Sequence, residues 1–450
     1  PEAIAALTPE QRNAMPPQAF NPPPLPQPAT ANNIANLVNS LSGWNIDKVP
    51  PAAFSGMKPT DVAKLPADAF SAMNPNQVGA LPPQAFTAIK PNQVELLPPE
   101  AMAAMKPTQF GQLPPQAMAA LSPAQFGALP PAAMTAMKPT QLGQLPPEAF
   151  EVLKSTQLGQ LPPQAFTAMK PTQLGSLPPE AMAAMKPTQL GQLPPAAMAA
   201  LSADQVGALP PAALTQIKPT QAGQLPPEAF EGMKSTQVAA LPPAAMGAIK
   251  PDQVAALPPE AMTAMKPTQV AALKPTAMAA LEPAQVAALP PTALTQMKPT
   301  QVAALPAEAL TEMKPSQVAA LPPVAVGGLK AEQVAALPPE AMTAMKPTQV
   351  AALPPAAMSA IKPAQVDSLP PAALRDVKPN QLAALSPDAV GSLDQSQVNA
   401  LPSEAFRGLS IAQASALPPS VAAEIKGPDI QAMAPAVRTV VAQRAALPPG

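Results

Sequence analysis

From Val49 to Met433 every eighth residue is Leu, Met, Ile or Val, an unbroken run of 49 octads. Two kinds of octad alternate. One is Leu97-Pro98-Pro99-Glu100-Ala101-Met102-Ala103-Ala104, and the other is Met105-Lys106-Pro107-Thr108-Gln109-Phe110-Gly111-Gln112. Apolar residues fall at positions one and six and often at eight, with Ala or Gln at five, so the pattern does not alternate as a half-buried strand would. Pro holds the third position in 39 of the 49 octads. A continuous helix cannot cross that spacing, because an interior Pro loses a hydrogen bond and clashes with the carbonyl four residues back. Pro does fit the first turn of a helix, and the residue before it is held extended. Each octad therefore reads as a turn followed by about six helical residues rich in Ala, Met, Leu and Gln.

Helices this short do not form alone, because nucleation is too costly. A strict sequence period marks a repeat architecture in which neighbouring units bury one another's apolar faces. The expected fold is an all-α, elongated solenoid of short Pro-initiated helices, with two octads (16 residues) per coil and about 24 coils. At ~8–10 Å between packed helices such an array spans roughly 200 Å. The alternative is a Pro-rich extended or disordered tether. The expected organisation is partial octads over 1–20, a Pro-rich linker and capping helix over 21–48, the solenoid over 49–440, and a tail with the start of a further repeat over 441–450. Octads cut at both ends raise the expectation of a piece of a longer protein.

Position five is the most regular polar feature. In the Leu-Pro-Pro octad it is Ala, as at Ala53, Ala69, Ala85, Ala101, Ala117 and Ala133; in the other octad it is Gln, as at Gln77, Gln93, Gln109, Gln125, Gln141, Gln157, Gln173 and Gln189. The Ala row reads as a close-packing site. The Gln row has two readings: a local bond from N3 back to the cap, which is preferred, or an amide ladder joining one coil to the next. The alternation implies two faces, one close-packed and one polar.

Composition removes much of the chemistry. With no Cys and no His among 450 residues, disulfides, thiolate or imidazole metal sites, Cys nucleophiles and His bases are excluded. No cofactor and no enzymatic activity are expected. A formal charge of −1 gives no general attraction to nucleic acid, and no 18-residue apolar run survives the prolines, so no membrane span is expected. Lys recurs at position two of the second octad, at Lys90, Lys106, Lys138, Lys154, Lys170 and Lys186. Such a Lys edge would either keep the array soluble or form a track for an anionic polymer, for example a polysaccharide. A row of Thr108, Thr140, Thr172, Thr188 and Thr220 raises ice binding, but Asn92, Ala124 and Asp204 break it. The Met residues at position six, Met102, Met118, Met134, Met182 and Met198, read as core.

The octad Leu121-Ser122-Pro123-Ala124-Gln125-Phe126-Gly127-Ala128 resembles those of tandem octapeptide arrays in large bacterial secreted and cell-surface exoproteins, and the resemblance covers residues 49–440. It implies an extended stalk or filament component at the cell surface or outside a bacterium, with no catalytic residues. The expected function is that of a spacer, stalk or filament-forming unit that associates with itself end to end or laterally. The interchangeability of the octads, and the near absence of Trp, Tyr and Arg, favour that over a specific binding module.

Overall fold

The computed structural model of the protein describes residues 46–447. The partial octads expected over 1–20, the linker and most of the capping helix expected over 21–48, and residues 448–450 lie outside the described residues. Ile46–Lys48 forms one turn of 3-10 helix. Among the described residues there are only helices and connecting turns, and no β-strand.

Each octad builds the same object. In the octad that begins at Leu113, Pro114 is the extended N-cap and Pro115 opens the helix Pro115–Met118. The turn before a helix comes from extended residues at positions one and two, such as Leu81 (φ −62°, ψ 136°) and Pro82 (φ −62°, ψ 145°). The amide of Leu81 donates to the carbonyl of Val78 as it leaves the preceding helix. Among the described residues no residue has positive φ, so the turns need no left-handed glycine. Proline supplies the bend in most octads, and octads without it keep the same extended N-cap, as at Ser202 and Lys330.

Positions one, five and six face inward. Leu97, Ala101 and Met102 are buried, and so are Met105, Gln109 and Phe110 in the next octad. Eight Phe side chains, Phe54 to Phe230, are among the largest fully buried groups.

The chain forms two units, Pro1–Gln216 and Ile217–Gly450. In the first, Pro51–Phe54 packs against Pro75–Ala80, that helix against Pro99–Met102, and that one against Pro123–Ala128. Pro51, Pro75, Pro99 and Pro123 follow one another at intervals of three octads, so a helix stacks on the one three octads before it. The same interval relates Pro59–Lys64 to Pro83–Ala88 and Ala67–Ser71 to Pro91–Glu95, which makes three parallel stacks. The second unit repeats the arrangement, as in Pro251–Ala255 on Pro275–Met278 and that on Pro299–Val302.

The stacking interval corrects the expected coil of two octads. The two-octad period belongs to the sequence, and the packing uses three. Three octads bring three sets of position-one and position-six side chains around a common apolar interior, which two antiparallel helices would leave open. An odd interval over a two-fold alternation has a further consequence. Every Gln octad rests on an Ala octad, and every Ala octad on a Gln octad.

Candidate functional site

The buried polar side chains of the described residues are all at position five of the second octad: 22 glutamines from Gln77 to Gln413, and Asp61. Burying an amide is costly unless its hydrogen bonds are made. Gln109 makes them at both ends. Its Oε1 accepts from the N–H of Lys106 at 2.8 Å. Its Nε2 donates to the carbonyls of Leu81 at 2.7 Å and Val78 at 3.0 Å, 28 and 31 residues back. Gln93 repeats this with Lys90, Leu65 and Val62, and Gln413 with Ser410, Leu385 and Leu382. Among the described residues no fully buried side-chain nitrogen or oxygen lacks a partner.

The local bond and the inter-level bond are therefore one side chain's two halves. The acceptor closes the cap of its own helix, and the donor clamps the turn between two octads of the level below. The bonds run from amide to backbone, so the glutamines do not contact one another as a ladder. Leu81 precedes Pro82 and its carbonyl lies in an extended turn, outside any helix ladder. The amide of Gln109 supplies its partner.

This geometry also explains why Ala replaces Gln in alternate octads. An N-cap with an N–H needs an acceptor at N3, and a Pro N-cap has none to satisfy. Position two is never Pro in the 22 Gln octads, where it is Lys, Ser, Asn, Glu or Asp. It is Pro in 21 of the 23 Ala octads from Ala53 to Ala405, the exceptions being Lys274 and Ser386. Ser386 serves the cap with its own hydroxyl, which accepts from the Ala389 amide. That correlation was present in the sequence and is the signal by which the double role of Gln could have been found. Asp61 keeps the acceptor half, taking the Lys58 N–H at 2.9 Å, and as a carboxylate has no amide to donate.

Ala53, Ala69, Ala85, Ala101, Ala117 and Ala133 are all buried, at 0–1% exposure. They do not form one face, because successive members lie in different stacks. The same holds for the glutamines, so the two expected faces are replaced by alternation within every stack.

The Lys edge is dispersed for the same reason. Lys90, Lys138 and Lys186, spaced six octads from one to the next, belong to one stack; Lys106 and Lys154 belong to another, and Lys170 to the third. All six are exposed. In the second unit Lys346 and Lys378 turn their Nζ to the carbonyls of Ala319 and Ala351, at the C-terminal end of the helix one octad before the one they stack on, where a cation is favoured. The exposed Thr108, Thr140, Thr172 and Thr188 are likewise shared among the three stacks.

Among the described residues no group of three His, Cys, Asp or Glu could hold a metal ion, and no helix is long and apolar enough to cross a membrane. An apolar cavity of about 20 Å³ lies between Met278 and Met345, and its lining of Met, Val and Leu offers a water no polar partner. No protein-family model matches the chain, and no curated protein matches it.

Proposed function

We propose that the chain is a structural repeat protein, a solenoid of three octads per turn that acts as a spacer, stalk or filament-forming unit. The observation that carries this reading is the equivalence of the levels. The same Gln makes the same three bonds at level after level, so a pair of levels, six octads, can be added or removed with the bonding pattern preserved. A recognition surface needs residues that differ from their neighbours, and a spacer needs residues that do not. The setting we propose is a bacterial surface or extracellular assembly, in keeping with the octapeptide pattern.

Changing the length tests this directly. Removing six internal octads, two stacking intervals, should shorten the particle by roughly 16–20 Å at ~8–10 Å per packed helix. Small-angle scattering reads that difference. A radius of gyration that scales like a flexible chain, or no change in the longest dimension, would overturn the proposal.

A further inference from the structure

Position six fills the interior, and its side chains change in reach along the array. From Phe54 to Met278 a Phe or Met returns there within every four octads. From Val286 to Val334, between Met278 and Met342, seven consecutive octads carry only Val and Leu. From Val366 to Val398, between Met358 and Phe406, five do. Each stretch carries a cavity. The one of about 20 Å³ is lined by the position-six side chains from Met278 to Val326. A second, of about 10 Å³, is lined by those from Met358 to Leu382.

Leu and Val end closer to the backbone than Met and Phe, so an axis lined by them alone is left unfilled. Leu294, Leu310 and Val326 come from three different stacks, so all three walls of the interior recede together. Position one registers the gap. Leu305 and Leu321, which line the larger cavity, are 7% exposed, against 2–3% for Leu257 and Leu353.

Protein interiors are close-packed and hold few voids larger than a water. The larger cavity exceeds the ~10–15 Å³ that one water needs, yet gives a water nothing to bond. An apolar space of this kind stays dry and takes apolar guests. A guest restores to the lining the dispersion contacts that the void forfeits. Met278, Met297, Met313 and Met345 also line it, and their unbranched thioethers can turn to fit what enters.

We propose that the interior between Met278 and Met345 is a binding site for a compact apolar molecule without hydrogen-bonding groups, the size of a dissolved gas or a short alkane. The inference goes beyond the spacer reading, and the side chains that carry it all lie within the second unit.

Xenon is the probe. The full chain, isotope-labelled at its methionine methyl groups, is followed by NMR under rising xenon pressure. Signals of Met297 and Met313 should shift and saturate, while those of Met118 and Met134 in the first unit should not. The chain carrying Leu310→Met and Val326→Met has the residue type of Met278 and Met342 at position six, and should lose most of that shift. Leu310→Ala widens the space and should reach saturation at lower pressure. Methyl dispersion shows whether each variant is folded, and the full chain decides by itself where a variant is not. No saturable shift at Met297 and Met313, an equal shift at Met118 and Met134, or an undiminished shift in the folded, filled chain would overturn the proposal.

Discussion

Nε2 of Gln125 donates to the carbonyl of Leu97 at 2.6 Å, across 28 residues of chain, while Oε1 of the same side chain accepts from the N–H of Ser122 at 2.9 Å. A single amide thus closes one helix and holds the level below. Replacing Gln125 by Ala should cost roughly 2–4 kcal/mol, since it leaves the Leu97 carbonyl and the Ser122 cap amide without their partner and takes one of two donors from the Val94 carbonyl. Gln125→Glu keeps the acceptor and sets a carboxylate against two carbonyl oxygens. That raises its folded pKa above the ordinary ~4.3. The stability of this variant is therefore greatest below that ordinary value and is lost as pH rises through the raised one. Melting curves at acid and neutral pH would check it; identical behaviour at both would count against the geometry.

Deleting one octad should do more harm than deleting two. Removal of 105–112 places the Leu113 octad over the Leu81 octad and the Leu129 octad over the Leu97 octad, Ala kind on Ala kind. The turn carbonyls of Leu81 and Leu97 then lose the amides of Gln109 and Gln125. At ~1–3 kcal/mol for each buried group left unpaired, the loss should be plain in the thermal melt. Removal of 97–112 preserves the alternation and should melt within a few degrees of the full chain.

The pairing of Pro at N-cap with Ala at N3 can be tested with one substitution at two places. Ala101 follows Pro98, which has no N–H, and Ala277 follows Lys274, whose helix lacks a capping box. Ala277→Gln should be the better tolerated of the two, because its Oε1 meets an N–H three residues back. Equal losses in chemical denaturation would refute the pairing.

Gly408 closes the 3-10 helix Ser403–Gly408 directly against the backbone of Pro379. A Cβ there would overlap the Pro379 carbonyl, which cannot rotate away. Gly408→Ala should cost ~1–3 kcal/mol by overpacking, whereas Gly427→Ala, with nothing within 4 Å, should cost far less. Denaturation of the two variants side by side decides it.

Asp394 is held below the usual carboxylate pKa chiefly by the Ser396 hydroxyl that donates to it; burial opposes this, and the backbone amides of Gln397 and Ser396 add to the lowering. Its folded pKa is lowered, so its contribution is present above the unfolded value and lost as pH falls through the folded one. Asp394→Asn should flatten the acid limb of stability near this cap. Amide exchange of Gln397 between acid and neutral pH would report it, and an unchanged acid dependence would exclude the mechanism.

Much of this is legible in the sequence. Pro99 and Pro107 mark where helices open, Leu97 and Met105 mark the turns, and burial of positions one and six, and of the position-five Ala, follows from their apolar side chains. Burial of Gln109 was readable only as one of two alternatives, because the periodicity shows that Gln is required without showing which carbonyls lie beneath it. Arg444 stands outside the octad pattern, and only its bonds to the Leu417 carbonyl give it a role.

The sequence by itself determined the unit: an eight-residue step, a proline that opens most of the helices, and an N-cap whose N–H, or lack of one, selects Gln or Ala. These are local effects, settled within one turn of backbone. Only the tertiary structure decided that the chain returns after three octads, because that interval depends on how side chains from separate helices fill a shared interior. No single octad carries that information, and the alternation of two kinds against an interval of three is why Gln109 finds the carbonyls of Val78 and Leu81 instead of those one sequence repeat away.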